Sequence, residues 1–456
     1  MYLRDTIAAI ATPLGEGGIG IVRISGDAAL DIAGRIFSGK RNGGLASHRF
    51  YYGELLDPAS GAALDEVMLV AMRAPRSYTR EDVVEIHCHG GYLLVQQVLA
   101  LVLRQGARLA QAGEFTQRAF LNGRIDLIQA EAVIEVIRSK TEASLNLANH
   151  QLTGLLSQRL GMIRTGLLEA LAVVEAYIDF PEEDLEGASA EQVEGLVGAA
   201  LAETASLLAG YREGRVLREG VSVIIAGKPN VGKSSLLNAL LREKRAIVTA
   251  VPGTTRDVIE EIVTIGGLPV RLLDTAGIRE SGDEVEQEGM RMTLERLPQA
   301  DLVLFVLDGS RSFDEDDARI AQEIAGACTL AVVNKSDLPH CLALPDALTA
   351  LPMVAISARA GAGLEELRTA IFSEFVQGTA IDSREYVAIS QARHRNSLEQ
   401  CREQLGAVLA SLRTGIGLEL VAVDLRSALH ALGEVTGETT PDEVLDLIFS
   451  RFCIGK

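Results

Sequence analysis

The stretch Gly227-Lys228-Pro229-Asn230-Val231-Gly232-Lys233-Ser234 decides how the rest of this chain is read. It follows an apolar run, Val221 to Ala226, with the length and β-branched content of a buried parallel strand, and Ser235 to Leu241 opens a helical pattern. A phosphate-binding loop requires that strand–loop–helix setting. Glycines let the backbone wrap a phosphate, successive N–H groups point inward, and the helix N-terminus adds a positive dipole. In such a loop Lys233 reaches the β- and γ-phosphates and the Ser234 hydroxyl meets Mg²⁺. A glycine-rich turn with a chance Gly-Lys-Ser is the alternative, and the flanking strand and helix disfavour it. The chain is expected to bind a nucleotide.

Later motifs indicate which one. Asp274-Thr275-Ala276-Gly277 closes a second apolar run, Val270 to Leu273. There the Asp can hold Mg²⁺ through water, and the Gly N–H can sense a γ-phosphate. Asn334-Lys335-Ser336-Asp337 follows a third run, Leu330 to Val333. A carboxylate at that distance from an Asn suits guanine, because it accepts from the N1 and N2 hydrogens that adenine lacks. Ser357-Ala358-Arg359, after Met353 to Ile356, can back the guanine O6 with a backbone N–H. Each motif alone is weak; four in this order, each after a strand, are not. The stretch resembles a Ras-like GTPase of the translation-factor-related group.

Composition sets outer bounds. A chain of 456 residues has room for about three ordinary domains, and 48% hydrophobic with 23% charged residues is the balance of a soluble globular protein. No uninterrupted apolar run approaches the ~18 residues of a membrane span, and the N-terminus lacks a cleavable signal pattern. Five scattered cysteines, Cys88, Cys328, Cys341, Cys401 and Cys453, with no CxxC pair argue for a reducing cytoplasm and against a disulfide framework. The ending Cys453-Ile454-Gly455-Lys456 has the outline of a prenylation box, but Gly and Lys in its last two positions fit poorly. The net charge is −19, whereas a protein that wraps nucleic acid by phosphate neutralisation alone is usually basic. Any RNA contact must be local, transient or delegated to a partner.

The patterning divides the chain into three. Residues 1–120 read as α+β, with strand-like runs at Thr6 to Ala11, Gly20 to Ile24, Val67 to Ala71 and Val83 to His87 and helical stretches at Ala28 to Phe37 and Tyr92 to Gln105. Residues 121–220 and 377–456 carry helical periodicity, and 221–376 form the GTPase. Ras-like folds have neighbouring termini, so such a domain can be inserted into another. The expected fold class is multidomain α/β plus all-α: an N-terminal α+β domain and a helical bundle interrupted by an inserted Ras-like P-loop GTPase domain.

Two further patterns imitate ligand motifs. Gly15-Glu16-Gly17-Gly18-Ile19-Gly20 satisfies GxGxxG, but a dinucleotide site needs a helix next, and Ile21-Val22-Arg23-Ile24 reads as a strand. A glycine hairpin is the better reading. His87-Cys88-His89 places two imidazoles on one face of a strand, yet no third ligand cluster accompanies it. A polar lining or a satisfied pair of histidines is expected there rather than a metal.

After Asp274-Thr275-Ala276-Gly277 stands Ile278, where Ras carries the glutamine that positions the attacking water. Either hydrolysis waits for a partner or another group supplies that role. The Asn230 side-chain carbonyl can bind a monovalent cation beside the phosphates. Glu286, in Glu280-Ser281-Gly282-Asp283-Glu284-Val285-Glu286, can orient water, although a solvated charge in an acidic loop is the simpler account.

Other stretches extend the resemblance to the whole chain. They are Asp5-Thr6-Ile7 with Ala11-Thr12-Pro13, Gly18 to Gly26, Gly113-Glu114-Phe115-Thr116 with Arg118 to Asn122, Ile178-Asp179-Phe180-Pro181, Gly253-Thr254-Thr255-Arg256-Asp257 and the terminal Phe452-Cys453-Ile454-Gly455-Lys456. With these the sequence resembles the bacterial tRNA modification GTPases of the MnmE/TrmE family. That resemblance implies GTP contacts from Asn230, Val231, Gly232, Lys233, Ser234 and Ser235, and from Thr249, Ala250, Val251, Pro252, Gly253, Thr254 and Thr255. Asp274, Thr275, Ala276, Gly277, Asn334, Lys335, Asp337, Ser357, Ala358 and Arg359 complete the set. It implies Mg²⁺ on Ser234 and Thr255, and K⁺ on Asn230, Thr249, Val251 and Thr254 in place of an arginine finger. It also implies catalytic roles for Lys233 and Glu286 and a suspected chemical role for Cys453. The N-terminal domain is implied to dimerise and to bind 5,10-methylene- or 5-formyl-tetrahydrofolate through Arg23, Glu85, Arg124 and Lys456, with Arg124 standing where the family pocket typically has Lys.

The implied activity is aminomethyl or carboxymethylaminomethyl addition at C5 of the wobble uridine of certain tRNAs. Folate gives the carbon and glycine or ammonia the amine. Cytoplasmic homodimers would join an FAD-binding partner (MnmG, or GidA) in a heterotetramer or larger complex, and K⁺-dependent hydrolysis would accompany GTPase-domain dimerisation. The alternatives are a ribosome-assembly GTPase acting as a switch, which usually carries a basic RNA-binding module that the acidic flanks here speak against, and a metabolic folate enzyme with an incidental GTPase. The sequence also predicts a capping box, Thr440-Pro441-Asp442-Glu443, with proline at the first helical position, opening a helix that ends near Phe452 and leaves a defined tail. That tail is expected near the folate pocket, in this subunit or its partner.

Overall fold

The computed structural model describes residues 5–39, 44–179, 187–241, 261–273, 297–376, 386–414 and 417–456. Its contacts divide the chain into two compact units, one of residues 1–134 with 430–456 and one of residues 135–429.

The first unit is built on a seven-stranded sheet. Its strands are β1 (Ile7–Ile10), β2 (Gly17–Ser25), β3 (Phe37–Gly39), β4 (Arg49–Leu56), β5 (Ala63–Met72), β6 (Val83–Gly90) and β7 (Arg108–Leu109), in the order β3-β4-β5-β6-β2-β1-β7. The glycine run opens β2, which pairs antiparallel with β1 and β6, so the hairpin reading holds and no helix follows the glycines. Val22, Ile24, Leu69, Val84 and Ile86 point to one face, where the helices Ala29–Ile36 and Tyr92–Arg104 cover them. Alternation sends Arg23, Glu85, His87, Phe50, Tyr52 and Met68 to the other face. There Phe50, Tyr52 and Met68 stay 54%, 68% and 42% exposed. β4, which no sequence pattern announced, supplies Phe50 and Tyr52 of that apolar surface, and β5 supplies Met68.

His87 and His89 do share this face, and each has its own carboxylate. His87 Nε2 lies 3.3 Å from Glu85 and His89 Nδ1 2.8 Å from Asp65. No metal-binding group of His, Cys, Asp or Glu occurs among the described residues. Cys88 between them is buried against the helices, and burial pushes its thiol up to about 11.

The helix Glu114–Leu121 closes the end of the sheet with Phe115 and a buried arginine. Arg118 donates to the Asp5 carbonyl (2.8 Å), Asp5 Oδ1 (2.6 Å), Glu81 (3.2 Å) and Glu114 (2.9 Å). Burial raises the Glu114 carboxyl, but hydrogen bonds from Arg108, the Gln111 N–H and Arg118 outweigh it and hold the carboxyl below its ordinary value. Arg118→Met would take the guanidinium from half-buried Glu81 and leave Asp5 and Glu114 to the guanidinium of Arg108 alone, with little water to replace it. Such removals cost about 3–5 kcal/mol. Native-state hydrogen exchange in the helix Glu114–Leu121 should show a loss of that size, and unchanged protection would refute it.

In the second unit β8 (Val221–Ala226), β9 (Glu261–Ile265), β10 (Leu268–Leu273), β11 (Leu302–Asp308), β12 (Thr329–Asn334) and β13 (Met353–Ala355) form a sheet ordered β13-β12-β11-β8-β10-β9. Every pairing is parallel except β9 with β10. β8 is buried along its whole length, as expected of a central parallel strand covered on both faces. Val223 and Ile225 pack toward the helices Lys233–Leu241 and Leu364–Phe375, while Ile224 faces Phe305 and Ile320 of the helix Glu315–Glu323. Long helices Leu155–Asp179, Gly187–Ala209 and Ala392–Thr414 make the all-α part. One stretch among the described residues, Ala190–Glu219, has the length and mean hydropathy (1.3) of a membrane span. It is two helices meeting at Gly210, and its Val193, Val197, Ala200 and Leu207 are buried.

The capping box does not form. Thr440 Oγ1 donates backwards to the Glu434 carbonyl (2.9 Å), and Pro441 is itself the N-cap of the helix Asp442–Phe449. The helix therefore begins one residue later than expected and stops three residues short of Phe452. Phe449 and Phe452 nevertheless anchor it against Leu127, Ala130 and Ile134.

Candidate functional site

The phosphate-binding loop leaves the C-terminal end of β8 and runs into the helix Lys233–Leu241, at the edge where parallel α/β sheets bind ligands. Asn230 (φ 63°) and Gly232 (φ 102°) are left-handed, which turns successive N–H groups inward. A Cβ at Gly232 would collide with the Asn334 amide, so only glycine fits there. The Lys233 ammonium lies over the loop, donating to the carbonyls of Gly227 (2.8 Å) and Lys228 (2.9 Å).

The base-side motifs join this loop directly. Asn334 Nδ2 donates to the Val231 carbonyl (2.8 Å), and Asn334 Oδ1 accepts from the Ala358 N–H (3.0 Å). Lys335 bridges the Asn230 carbonyl (2.9 Å) and Asp308 (2.7 Å) at the end of β11. Ser357 Oγ donates to Asp337 (2.6 Å), the first cause holding that carboxyl below its ordinary value. Asn230 to Ser235, Asn334 to Asp337 and Ser357 to Arg359 thus gather around one strand edge. Thr249 to Thr255, Asp274 to Gly277, Ile278 and Glu286 lie outside the described residues.

Sequence reasoning missed Lys228. Its ammonium is buried and bonds Asp314 (2.6 Å) and Asp317 (2.8 Å), which cap the helix Glu315–Glu323 reciprocally. The loop is thereby tied to that helix. The signal was present as a basic residue inside the loop and Asp314-x-x-Asp317 after β11, but nothing in the sequence joins the two.

The first unit holds a second constellation. Register places Arg23 on β2 opposite Glu85 on β6, and Arg23 Nε donates to Glu85 Oε1 (2.9 Å). Arg23 Nη1 also donates to the Gly455 carbonyl (3.3 Å), which brings the C-terminal tail of the same chain to this pair. The Gly113 N–H reaches the Cys453 carbonyl (3.4 Å), and Ala112 bridges Ile454. Gly455 is left-handed (φ 97°), and a Cβ there would strike the Ile10 carbonyl oxygen. Burial first, then the neighbouring Arg23, pushes the Lys456 ammonium below its ordinary value, against opposing pulls from Glu85 and Cys453. Tyr78, another residue the sequence did not single out, has the Arg23 guanidinium 5.6 Å and the Arg124 guanidinium 4.7 Å from its ring centre. Arg23, Glu85, Arg124, Cys453 and Lys456 therefore converge within one chain.

The family model of the MnmE helical domain matches residues 127–453, and that of the GTP-binding protein TrmE N-terminus matches residues 6–124. The tRNA modification GTPase MnmE of Geobacter metallireducens is 62% identical over 457 residues, covering 100% of both chains. Those of Geotalea uraniireducens and Carboxydothermus hydrogenoformans are 60% and 48% identical, again over 100% of both chains. The chain belongs to the MnmE family of tRNA modification GTPases. It is a GTP hydrolase involved in tRNA modification. Among solved structures, Era of Aquifex aeolicus matches 40% of this chain and 66% of its own at 28% identity, with a TM-score of 0.26. As a member of the MnmE family the chain combines the α+β N-terminal domain, the helical domain and the P-loop GTPase expected from its sequence.

Proposed function

We propose that this MnmE-family chain acts with an FAD-binding partner to add an aminomethyl or carboxymethylaminomethyl group at C5 of the wobble uridine of certain tRNAs. Its GTPase domain (221–376) would be carried as an insertion in the helical domain (121–220 and 377–456). The observation that supports this reading most is the tail: Cys453 to Lys456 sits against Arg23 at the pocket that also holds Glu85. A GTPase acting only as a switch has no use for a thiol-bearing tail fixed in such a place.

The pocket's donor set fits a folate. Arg23, Arg124 and Lys456 offer positive charge to its glutamate carboxylates, and Glu85 offers an acceptor to the N–H edge of its aminopyrimidine. When bound, the folate would supply the one-carbon unit. Arg23, held by Glu85 and Gly455, would orient that ligand, and Cys453 would stand at the pocket's rim. The exposed face of Phe50, Tyr52 and Met68 is the surface on which a second copy would dock to give the homodimer.

In the GTPase domain Ser234 and Thr255 offer hydroxyl oxygens suited to Mg²⁺, and Asn230, Thr249, Val251 and Thr254 offer oxygens suited to K⁺. Lys233 would stabilise charge on the phosphates, and Glu286 would orient the attacking water. Asp274 and Gly277 would sense the γ-phosphate. Hydrolysis would bring two GTPase domains together and apart. The acidic net charge of −19 is in keeping with most tRNA contact lying on the partner.

The test is mass spectrometry of wobble nucleosides from cells lacking the protein and from cells carrying only Cys453→Ser. Both should lose or strongly reduce the C5 modification, while purified Cys453→Ser hydrolyses GTP and melts as the wild type does. Unaltered nucleosides in the deletion strain would end the modification reading; unaltered nucleosides in the Cys453→Ser strain alone would end the chemical role of the thiol.

A further inference from the structure

Among the described residues Tyr78 is the one aromatic residue with two of these cations over its ring, and nothing in the motifs explains it. Its loop is held unusually firmly. The Tyr78 hydroxyl and Thr116 Oγ1 are 2.9 Å apart, and Thr116 is wholly buried. On either side, Ser77 Oγ donates to the Glu81 carbonyl (2.6 Å), and Thr79 Oγ1 pairs with Ser25 Oγ (2.7 Å). Asn122 Nδ2 donates to the Thr79 carbonyl (2.7 Å). The ring itself packs on the cluster of Ile7, Ala9, Ala110 and Phe115.

Two guanidiniums attend this fixed ring. Arg124 has its carbon 4.7 Å from the ring centre and donates Nη1 to the Tyr78 carbonyl (3.0 Å). Arg23 lies 5.6 Å from the same centre and 5.7 Å from that of Phe115. Like charges gathered on one wall repel, and Glu85 pairs with Arg23 rather than with Arg124. The π face of Tyr78 supplies the attraction that keeps the second cation in place. It also gives meaning to the arginine at 124. A planar guanidinium lies on an aromatic face, which a lysine ammonium matches less well.

We propose that Tyr78 is a positioning residue of this pocket, holding Arg23 and Arg124 toward one anionic ligand, a reduced folate. This rests on the folate reading given above. The residue acts through the two arginines: with the ring in place their heads are pre-ordered, and binding need not restrict them.

The experiment uses the full-length protein, 5-formyl-tetrahydrofolate as probe and equilibrium dialysis, with GTP hydrolysis measured on the same preparations. Tyr78→Leu should bind the probe about tenfold more weakly. Tyr78→Phe, which keeps the ring and loses only the hydroxyl, should bind within about twofold of wild type. In the Tyr78→Leu background Arg124→Lys should cost no further affinity, whereas it should in the wild type, since coupled residues are not additive. GTP hydrolysis should be unchanged throughout. If the wild type binds the probe and Tyr78→Leu binds equally well, or Tyr78→Phe is as weak as Tyr78→Leu, the positioning role is overturned and the folate reading stands. If the wild type does not bind the probe, both fall. Should Tyr78→Leu lose its native circular dichroism, Tyr78→Met is judged by the same criteria.

Discussion

Exchanging K⁺ for Na⁺ in the assay buffer is expected to lower kcat for GTP by a factor of about 10³ or more while leaving GTP affinity nearly unchanged. The size follows from the role. A positive charge placed against the phosphates in the transition state, as an arginine finger places it, is worth about 10³–10⁵ in rate. On this proposal the cation would sit at the Asn230 side chain, whose residue is exposed at the loop's crest, left-handed at φ 63°, and held through its main-chain carbonyl by Lys335, which Asp308 holds in turn. With its main chain held in this way, Asn230 is expected to follow the smaller Na⁺ less closely than K⁺, leaving that ion under-coordinated. The charge matters mainly as the γ-phosphate departs, so ground-state affinity should barely move. Asn230→Ala should erase the preference for K⁺. Equal rates in the two salts would dismiss the cation.

How much of this could be read from the chain depended on how local the signal was. The phosphate loop was legible because strand, glycines, lysine and helix start lie within twenty residues, and each constrains the others. The Asn334 and Asp337 motif was legible for the same reason. What joins them was not: the Asn334 bond to Val231 and the Lys335 bond to Asn230 span about a hundred positions and depend on β8 and β12 flanking β11. The strand β4 escaped notice because Phe50 and Tyr52 face outward, so its alternation lacks the buried–polar contrast that marks a strand. The capping box failed over one residue. Pro441 took the N-cap and left the Thr440 hydroxyl to the end of the preceding helix. Arg23, Glu85, Arg124 and Lys456 were reached by resemblance alone. Their meeting needs the register of β2 on β6 and the return of the tail, neither of which composition or periodicity encodes. Tyr78 and Lys228 had no signal for the same reason: each matters only through partners far along the chain.

The base-side geometry leads to the second large effect, a change of nucleotide. Asp337→Asn is expected to weaken GTP binding on the order of 10³-fold and to strengthen binding of xanthosine triphosphate relative to GTP. The Ser357 hydroxyl fixes one Asp337 oxygen at 2.6 Å, and the carboxyl is held ionised, ready to accept from the N1 and N2 hydrogens of guanine. An asparagine keeps one acceptor, which Ser357 and N1–H can still use, and replaces the other by an N–H₂ donor. That donor faces the 2-amino group of guanine, donor against donor, and leaves both unpaired. Xanthine carries a carbonyl at that position and retains N1–H, so it matches the asparagine as guanine matches the aspartate. Because Asn334 and Ala358 hold the base-side loop independently of Asp337, the substitution should change the base preferred without loosening the phosphate loop. Hydrolysis at saturating xanthosine triphosphate should therefore approach the wild-type rate with GTP. Discrimination is measured by competition between the two nucleotides, and a variant that still prefers GTP would show that Asp337 does not read the base.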